Sequence, residues 1–400
     1  MTTLYIIRHA EAEGNLYRRI HGWYNSLITD NGYRQIAALK ERFDRIHVDA
    51  VYASDLFRTM TTARAVYEPK HLPLVTLPGL REVGMGEWED CTWGEVARFD
   101  GEQYQRYIAC DPRWKNKGGE SRQEAQQRIY ETVLSIAGRH PDETVAIFSH
   151  GDAIRALQAR LLGLSIGEMH TLRHSDNTGV TCLEIEGEEV RMALQSDNSH
   201  LSQEISTLAR QRWWKERGDA MADANAWFRP LDMDRQEDSA FYQRLRERAW
   251  SDLYGDLRGY DGAGFAWEAA EQAKENAACL WCAMLEDQPA GVLQLDLNRG
   301  AEDRAGYIQF FALDEPFQGK AVAPQLLGQA VSIFRPLGRE KLRLVCAPGN
   351  GRAQIFYRRH GFEKAGVRPG SHGALDLMEK DISYRPRKIF PGKSETRGLL

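Results

Sequence analysis

The sequence predicts an α/β protein with two domains. Short apolar runs bounded by polar residues, such as residues 4–7 and 145–148, are typical of buried strands and alternate with helical stretches. A chain of 400 residues is too long for one core of this kind, and the pattern starts again near residue 223. We expect a first domain at 1–200, a connecting helix at 201–222, a second domain at 223–383 and a basic tail at 384–400.

Two histidines directly follow the predicted strands. Arg8 and His9 end the first apolar run, and His150 follows the second. Open α/β sheets bind ligands at the carboxyl ends of their strands. The planar fork of an arginine holds phosphate oxygens, and a neutral imidazole can attack phosphorus. The two strand ends therefore predict one phosphoryl-transfer site.

An ordered series of short motifs accompanies these histidines. The series consists of RHAEAEGN at 8–15 and of residues 19–22, 29–32, 54–59, 80–89, 118–121 and 149–151. In this order and spacing, residues 1–200 resemble the histidine phosphatase superfamily, which also contains the phosphoglycerate mutases. The resemblance implies a three-layer α/β/α domain of the phosphoglycerate mutase-like kind.

The resemblance also implies a role for individual side chains. His9 would be the nucleophile that becomes phosphohistidine, and Arg8, Arg58 and His150 would surround the phosphoryl group. Glu82, in a Leu-Arg-Glu frame, matches the general acid that protonates the leaving alkoxide. Substrate contacts are implied at Asn15, His21 and Gly22.

Helix signals near two of these residues lead to further expectations. Arg58 falls early in a helix that we expect Ser54 or Asp55 to cap, so it lies near a positive dipole end. His150 precedes a helical stretch at 152–157, whose free N–H groups favour an anion. Both helices are therefore expected to point their amino ends at the phosphoryl group.

Two activities fit such a site, phosphomonoester hydrolysis and phosphoglycerate mutase-type phosphotransfer. A mutase keeps its phosphoenzyme away from water and usually carries extra covering segments. Residues 84–89 resemble the phosphatase branch and 1–200 is a compact domain, so we favour hydrolysis. The phosphate ester stays open, because specificity lies in a lid around 90–120 whose aromatic residues could stack on a substrate or simply pack together.

The second half contains a loop typical of pyrophosphate binding. A predicted strand at 307–313 is followed by the small-residue loop 318–323 and by a helix that we expect to open at Pro324. A strand, a loop and a helix amino end in this order expose backbone N–H groups to an anion. The connecting helix before this half is expected to begin at Ser202, where a capping signature stands.

Together with residues 350–357 and 361–362, this loop makes the second half similar to the GNAT acetyltransferases. The resemblance implies a mixed-sheet acyl-CoA acyltransferase fold, acetyl-CoA as acyl donor and a small-molecule or peptide amine as acceptor. Tyr357 would protonate the departing thiolate. Ala321 replaces a usual glycine, which is tolerated where φ stays negative. Cofactor contacts are implied at Leu313, Gln318, Gly319, Lys320, Ala321, Val322, Ala323 and Asn350.

No residue stands out as the general base for acetyl transfer, so a second interpretation remains. In that interpretation the second domain binds acyl-CoA without turnover and regulates the phosphatase.

A net charge of −5 argues against a dedicated nucleic-acid surface, and no apolar run approaches the roughly 20 residues of a membrane span. Catalytic residues at positions 8 and 9 leave no room for a signal peptide, so a cytoplasmic location is expected. Cys279 and Cys282 are expected to be buried thiols, and no metal is expected. The oligomeric state is left open.

Overall fold

The first half of the chain alternates strands and helices. The computed structural model describes residues 1–187, 189–211, 224–385 and 387. Up to residue 210 its elements are β1 (Thr2–Arg8), α1 (Glu13–Tyr17), α2 (Asp30–Phe43), β2 (Ala50–Ala53), α3 (Phe57–Lys70), β3 (Leu74–Thr76), α4 (Trp93–Phe99), α5 (Gly101–Ile108), α6 (Arg122–Arg139), β4 (Thr144–Ser149), α7 (Gly151–Leu161), β5 (Val180–Glu186), β6 (Glu189–Asp197) and α8 (Thr207–Arg210).

The second half contains longer antiparallel strands and four helices within its described residues. Its elements are β7 (Trp227–Pro230), α9 (Gln236–Tyr254), α10 (Gly262–Glu275), β8 (Leu280–Leu285), β9 (Gln288–Asp296), β10 (Ala305–Leu313), α11 (Val322–Phe334), β11 (Lys341–Cys346), α12 (Gly351–Arg359), β12 (Glu363–Gly370) and β13 (Gly373–Asp381).

The first sheet explains why the two histidine segments meet. Across the described residues its strand order is β3-β2-β4-β1-β5-β6. β1 and β4 are parallel neighbours, and Arg8 pairs with Ser149 at their carboxyl ends. One apolar face packs on α2 and α3, and the other packs on α6 and α7. The predicted three-layer α/β/α domain is therefore confirmed.

The second sheet is mixed, as predicted. Its described strands follow the order β12-β13-β11-β10-β9-β8-β7. β10 and β11 are parallel, but they pair only where Ala305–Tyr307 meets Lys341–Arg343. Both strands continue well past this point, so they diverge toward their carboxyl ends. This divergence leaves backbone N–H and C=O groups without a partner strand, which is the geometry that an extended ligand arm can fill.

The two halves pack against each other through α1 and α11. Tyr17 of α1 belongs to the apolar core of the second half. It lies so close to Gly328 that a Cβ atom there would be 2.5 Å from the Tyr17 Cβ. Glu13 accepts a hydrogen bond from Arg335 at 3.0 Å, and the two side chains are only 7% and 10% exposed. A buried ion pair thus joins the first helix to the end of α11.

The segment that follows the first sheet differs from the predicted connecting helix. Residues 202–205 form a turn, and α8 begins only after Ser206, whose Oγ accepts from the Ala209 N–H. The Ile205 carbonyl accepts hydrogen bonds from Asn31 and Gln35 of α2, so the chain is held against the first domain at this point. The expected start at Ser202 is therefore wrong. The rest of the predicted helix lies outside the described residues.

The few described tail residues contact both domains, and Arg385 pairs with Glu340 of the second at 2.7 Å. Tyr384 donates a hydrogen bond to the Asn25 carbonyl at 2.7 Å, and Arg387 pairs with Asp30 at 2.9 Å. Residues 388–400 lie outside the described part.

Other sequence expectations concern cysteines, metals and membranes. The six cysteines are free thiols, and Cys279 and Cys282 are buried, as predicted. Across the residues that the structure describes, no three side chains of metal-ligating type come together. None of the described helices is long and apolar enough to cross a membrane.

Replacing Arg335 by Met should destabilise the protein strongly. The substitution leaves the Glu13 carboxylate buried without its cation, and breaking a buried pair in this way costs about 3–5 kcal/mol. Urea titration followed by fluorescence measures the free energy of unfolding. Arg34→Ala is the control, because its pair with Glu204 is exposed and is worth less than about 1 kcal/mol. Equal losses in the two variants would contradict a stabilising role for the buried pair.

Candidate active site

The carboxyl edge of the first sheet brings three histidines together. His9 follows β1 and is almost completely buried. The ring centroids of His21 and His150 lie 5.5 and 5.3 Å from that of His9. Gly14 permits this cluster, because a Cβ atom at that position would be 2.4 Å from the His21 ring. The predicted strand-end residues therefore share one site.

His9 is held as a neutral imidazole with a defined tautomer. Its Nδ1 lies 2.7 Å from the Ala10 carbonyl, which can only accept a hydrogen bond, so Nδ1 carries the proton. Burial lowers the pKa of His9 well below its ordinary value, and the charges of Arg58 and Arg8 lower it further. The Nε2 atom therefore keeps a free lone pair at neutral pH.

Three groups around His9 have buried nitrogen atoms without a hydrogen-bond partner among the described residues. The Nε atoms of Arg8 and Arg58 are buried and have no hydrogen-bond partner among the described residues. The Nδ1 atom of His150 is in the same situation, while its Nε2 lies 2.7 Å from Ser54 Oγ. The backbone carbonyls that hold the two guanidinium groups belong to His21, Gly22, Tyr24 and Ser175. The two guanidinium Nε–H groups need an acceptor, and an anion beside His9 would supply it.

Glu82 occupies the amino end of α7. Its carboxyl accepts hydrogen bonds from the Asp152 N–H at 3.2 Å and the Ala153 N–H at 2.8 Å. These N–H groups therefore bind Glu82, and the expectation that they face the phosphoryl group is wrong. Burial raises the pKa of Glu82, and the negative charge of Asp152 raises it further. A carboxyl that keeps its proton beside the pocket is suited to act as an acid.

The expected cap of α3 is also wrong. Leu56 precedes the helix and provides no side-chain cap. Ser54 instead contacts His150, and the Asp55 carboxylate forms an ion pair with Arg81. Each predicted capping side chain thus has a partner elsewhere in the site. Arg58 still lies in the first turn of α3, as predicted.

The predicted substrate residues line a cavity that Arg8 also borders. The cavity has a volume of about 540 Å³ and is bordered by Asn15, His21 and Gly22, with Glu82 beside them. The Asn15 Oδ1 accepts a hydrogen bond from the Ala12 N–H at 3.0 Å, and this bond fixes its orientation in α1. The volume is far larger than one phosphoryl group, so the cavity has room for the rest of an ester.

Asn177 and Arg155 are among the cavity residues that the sequence interpretation missed. Asn177 is fully buried and donates to the His9 carbonyl at 2.9 Å. Arg155 lies one turn inside α7 and also borders the cavity. Asn177 could have been found, because the polar residues 175–178 precede β5, the antiparallel neighbour of β1. The start of β5 must lie where β1 ends.

Most aromatic residues of the predicted lid pack on one another. Trp93 and Tyr107 stack with ring centroids 5.4 Å apart, and Tyr107 meets the buried Trp114 at 5.0 Å. Tyr104 joins this group, whereas Phe99 is 70% exposed. Trp93, Tyr104 and Tyr107 also border the cavity, so their edges are available to a ligand.

The predicted pyrophosphate loop has a different backbone from the one expected. The helix α11 begins at Val322, two residues before Pro324, and Ala321 precedes it with φ +55°. The condition under which an alanine is tolerated at this position, a negative φ, is therefore not met. Gly319 has φ +78°, so two residues of this loop are left-handed. No side chain caps α11, which leaves its first N–H groups open to an anion. Lys320 and Ala323 flank this turn, and Leu313 ends β10.

The other predicted residues of the second half have structural partners. Gln318 donates to the Leu313 carbonyl at 3.3 Å, and Asn350 caps α12 by accepting from the Ala353 N–H at 3.1 Å. Tyr357 is buried, and this burial raises its pKa. The left-handed loop, the uncapped helix and the diverging strands fit an acyl-CoA molecule.

Comparisons with known families divide the chain in two. The sequence profile of the histidine phosphatase superfamily (branch 1) matches residues 4–198. The profile of the acetyltransferase (GNAT) family matches residues 240–362. The two matches follow each other along the chain without overlap.

Individual relatives resemble the first half. Phosphoserine phosphatase 1 of Hydrogenobacter thermophilus is 28% identical over 186 residues, which cover 46% of this chain and 88% of that protein. A probable phosphoglycerate mutase GpmB of Proteus mirabilis is 30% identical over 167 residues, covering 41% of this chain and 76% of its own length. The solved structure of Bacillus stearothermophilus YhfR is 31% identical, covers 50% of this chain and 99% of that one, and has a TM-score of 0.49.

Replacing Glu82 by Gln should affect esters according to their leaving groups. Alkyl phosphates need a proton on the departing oxygen, so their kcat should fall by about 10² to 10⁴-fold. p-Nitrophenyl phosphate needs no such proton and should be affected much less. In the wild type, kcat/KM should decline as pH rises through the raised pKa of Glu82, and the variant should lose that decline. Equal losses on both esters would exclude the acid role.

Replacing Ala321 by Gly should stabilise the protein. A left-handed alanine is strained by about 1 kcal/mol, and glycine removes this strain. Ala323→Gly, within the first turn of α11, is the matched control and should destabilise by about 0.5–1 kcal/mol. Urea titration of both variants gives the comparison. A loss of stability in Ala321→Gly as large as in the control would contradict the strain.

Proposed function

Because the chain belongs to the histidine phosphatase superfamily and carries a GNAT domain behind that part, we propose that it hydrolyses phosphomonoesters through a phosphohistidine at His9. The observation that carries this proposal is the set of buried, unpartnered nitrogen atoms of Arg8, Arg58 and His150 around a neutral His9. The positive charges of Arg8 and Arg58 suit a dianionic phosphoryl group and help to keep the nucleophile unprotonated.

The reaction follows from the protonation states of two groups. The His9 Nε2 lone pair attacks phosphorus, and the bond to the ester oxygen breaks as Glu82 gives its proton to that oxygen. The alcohol leaves, and His9 carries the phosphoryl group. Glu82, now ionised, takes a proton from water as the water oxygen attacks phosphorus and the P–N bond breaks. Inorganic phosphate leaves, and both side chains regain their first states.

Hydrolysis is favoured over phosphotransfer by the size of the lid. One relative is named a phosphoserine phosphatase and another a probable phosphoglycerate mutase, so the superfamily contains both names. In the part of the chain that the structure describes, the helices of the lid are short: α4 has 7 residues and α5 has 8. Water can therefore compete for the phosphohistidine more readily than under a long covering segment.

The second domain is proposed to transfer an acetyl group from acetyl-CoA to an amine. The support comes from the left-handed loop, the uncapped start of α11 and the divergence of β10 from β11. Acetyl-CoA supplies the acyl group when it is bound. The raised pKa of Tyr357 keeps its hydroxyl protonated, so this residue can give a proton to a departing thiolate.

A second candidate function, regulation of the phosphatase by acyl-CoA, is favoured by one set of contacts. Gln325 of α11 donates to the carbonyl of Ala321 in the loop and accepts from the Ala226 N–H. The adjacent Asn225 accepts a hydrogen bond from Arg18, and both residues border the phosphatase cavity. Hydrogen bonds therefore connect the loop at residues 318–323 with the wall of the phosphatase cavity. A ligand bound at the loop can thus change the affinity of the phosphatase site for its own ligand.

One experiment tests these functions together. Phosphate release and free thiol are followed on a panel of phosphate esters and amines, with and without acetyl-CoA. Phosphate release together with amine-dependent thiol release supports two enzymes. Phosphate release that responds to acetyl-CoA, without thiol release, favours the regulatory function. No phosphate release on any ester would contradict the first proposal.

Replacing His9 by Ala tests the nucleophile directly. The variant should lose phosphate release and acid-labile labelling of the protein by a radiolabelled ester. Its affinity for acetyl-CoA should stay unchanged, because the loop at 318–323 belongs to the other domain. Calorimetry with acetyl-CoA is the control for correct folding. Turnover that persists in this variant would rule out His9 as the nucleophile.

A further inference from the structure

The imidazole of His150 ends a chain of hydrogen bonds between buried side chains. Its Nε2 lies 2.7 Å from Ser54 Oγ, which in turn lies 2.7 Å from Thr59 Oγ1. All three side chains are fully buried. The distances are compatible with donation in either direction along the chain, but only one direction uses every hydroxyl group fully.

The Thr59 hydroxyl decides the direction. Its Oγ1 lies 2.7 Å from the Leu56 carbonyl and 3.0 Å from the Ser54 carbonyl, and a carbonyl oxygen can only accept. If Thr59 donates to a carbonyl, Ser54 donates to Thr59 and the His150 Nε2–H donates to Ser54, so three hydrogen bonds form. If Thr59 donates to Ser54 instead, Ser54 donates to His150 and only two form. The first direction is more stable, because buried polar groups are costly without partners.

This direction leaves a lone pair on the other ring nitrogen. A neutral imidazole carries one ring proton, and here it is on Nε2, so Nδ1 of His150 is an acceptor. Nδ1 is buried and has no hydrogen-bond partner within the described residues, and its ring centroid lies 5.3 Å from that of His9. The oxygens of a phosphate dianion also only accept, so they can bond to this nitrogen only through an added proton.

The cations around His150 keep it neutral until an anion binds. Burial lowers the pKa of His150 well below its ordinary value, and the charges of Arg58 and Arg128 contribute to the decrease. Arg8 is close as well, because a Cβ atom on Gly151 would lie 3.2 Å from its Nε. A bound dianion would act in the opposite sense and favour a protonated ring.

The other titratable groups nearby supply little compensating charge. Burial lowers the pKa values of His9 and His21 well below the ordinary range, so both are neutral. Burial raises the pKa of Glu82, which favours its protonated form. Asp152 is ionised, but its carboxylate pairs with Arg122 at 3.0 Å.

We propose that Ser54 and Thr59 are positioning residues that hold His150 as the Nε2–H tautomer, so that a phosphoryl group binds together with one proton at His150 Nδ1. The proposal rests on the proposed hydrolysis and adds two residues and a proton count to that site. A proton from solvent joins the Nδ1 lone pair, and the new N–H donates to a phosphate oxygen. The balance is the same if a phosphate monoanion brings the proton as P–OH. The proton leaves with the inorganic phosphate.

Nuclear magnetic resonance reads the tautomer in the protein without phosphate. Long-range ¹H–¹⁵N correlation spectra of protein labelled with ¹⁵N-histidine distinguish the two ring nitrogens, and His150→Gln assigns the signals. At about pH 8 the wild type should carry the His150 proton on Nε2. Thr59→Val removes the acceptor of the Ser54 proton, so Ser54 should donate to His150 and the proton should move toward Nδ1.

Two variants serve as controls for this measurement. Thr59→Ser keeps the hydroxyl and should restore the wild-type tautomer. Thr61→Val makes the same change at another buried threonine of α3 and should also keep it. A wild type with the proton on Nδ1 would overturn the proposal, whatever the stability of the variants. The same tautomer in the wild type and in Thr59→Val would overturn the role of Thr59.

Calorimetry with inorganic phosphate gives the proton count. Titrations at about pH 8.5 in two buffers of different ionisation enthalpy measure the protons taken up with each phosphate. The wild type and Thr59→Ser should take up about one proton, and Thr59→Val less than about half of one. Uptake near zero in the wild type, or equal uptake in the wild type and Thr59→Val, would overturn the proposal. An absence of phosphate binding would instead contradict the proposed hydrolysis, whereas the tautomer is measured without phosphate.

Discussion

The parallel pairing of β1 with β4 is the constraint on which the first site depends. Their register sets Arg8 beside Ser149, so the residues that follow both strands must share one edge of the sheet. The peptide groups after β1 are held as well, because the Thr178 N–H donates to the Arg8 carbonyl and the His9 N–H donates to the Ser149 carbonyl. The imidazole is thereby positioned by backbone hydrogen bonds rather than by a mobile loop.

Desolvation acts in opposite senses on His9 and Glu82, the two groups to which the proposed reaction assigns the nucleophile and the acid. It removes charge from the His9 imidazole by lowering its pKa, and it keeps the proton on Glu82 by raising the pKa of that carboxyl. The arginines reinforce the first effect, whereas the Asp152 carboxylate reinforces the second. Burial therefore favours the neutral form of both groups, an imidazole with a free lone pair and a carboxyl with its proton.

The sequence was sufficient to predict both folds and the cluster of residues around His9, because the ordered motifs mark the ends of the strands. It was insufficient where side chains compete for partners. The local sequence allows Ser54 to cap a helix, but in the structure its hydroxyl forms a hydrogen bond with the imidazole of His150. The backbone conformation of Ala321 likewise depends on how α11 packs in the fold, and no local sequence pattern indicates that packing.

The contact between α1 and α11 has a consequence for motion. A helix of 5 residues cannot maintain itself in water, because the cost of its first turn is not recovered over so short a length. The order of α1 therefore depends on its neighbours, which include Leu27 of its own domain and Gly328 and Arg335 of the other. Since Asn15 stands on this helix, one wall of the phosphatase cavity rests in part on the second domain. The first domain is thus expected to have a softer pocket if it is cut away from the second.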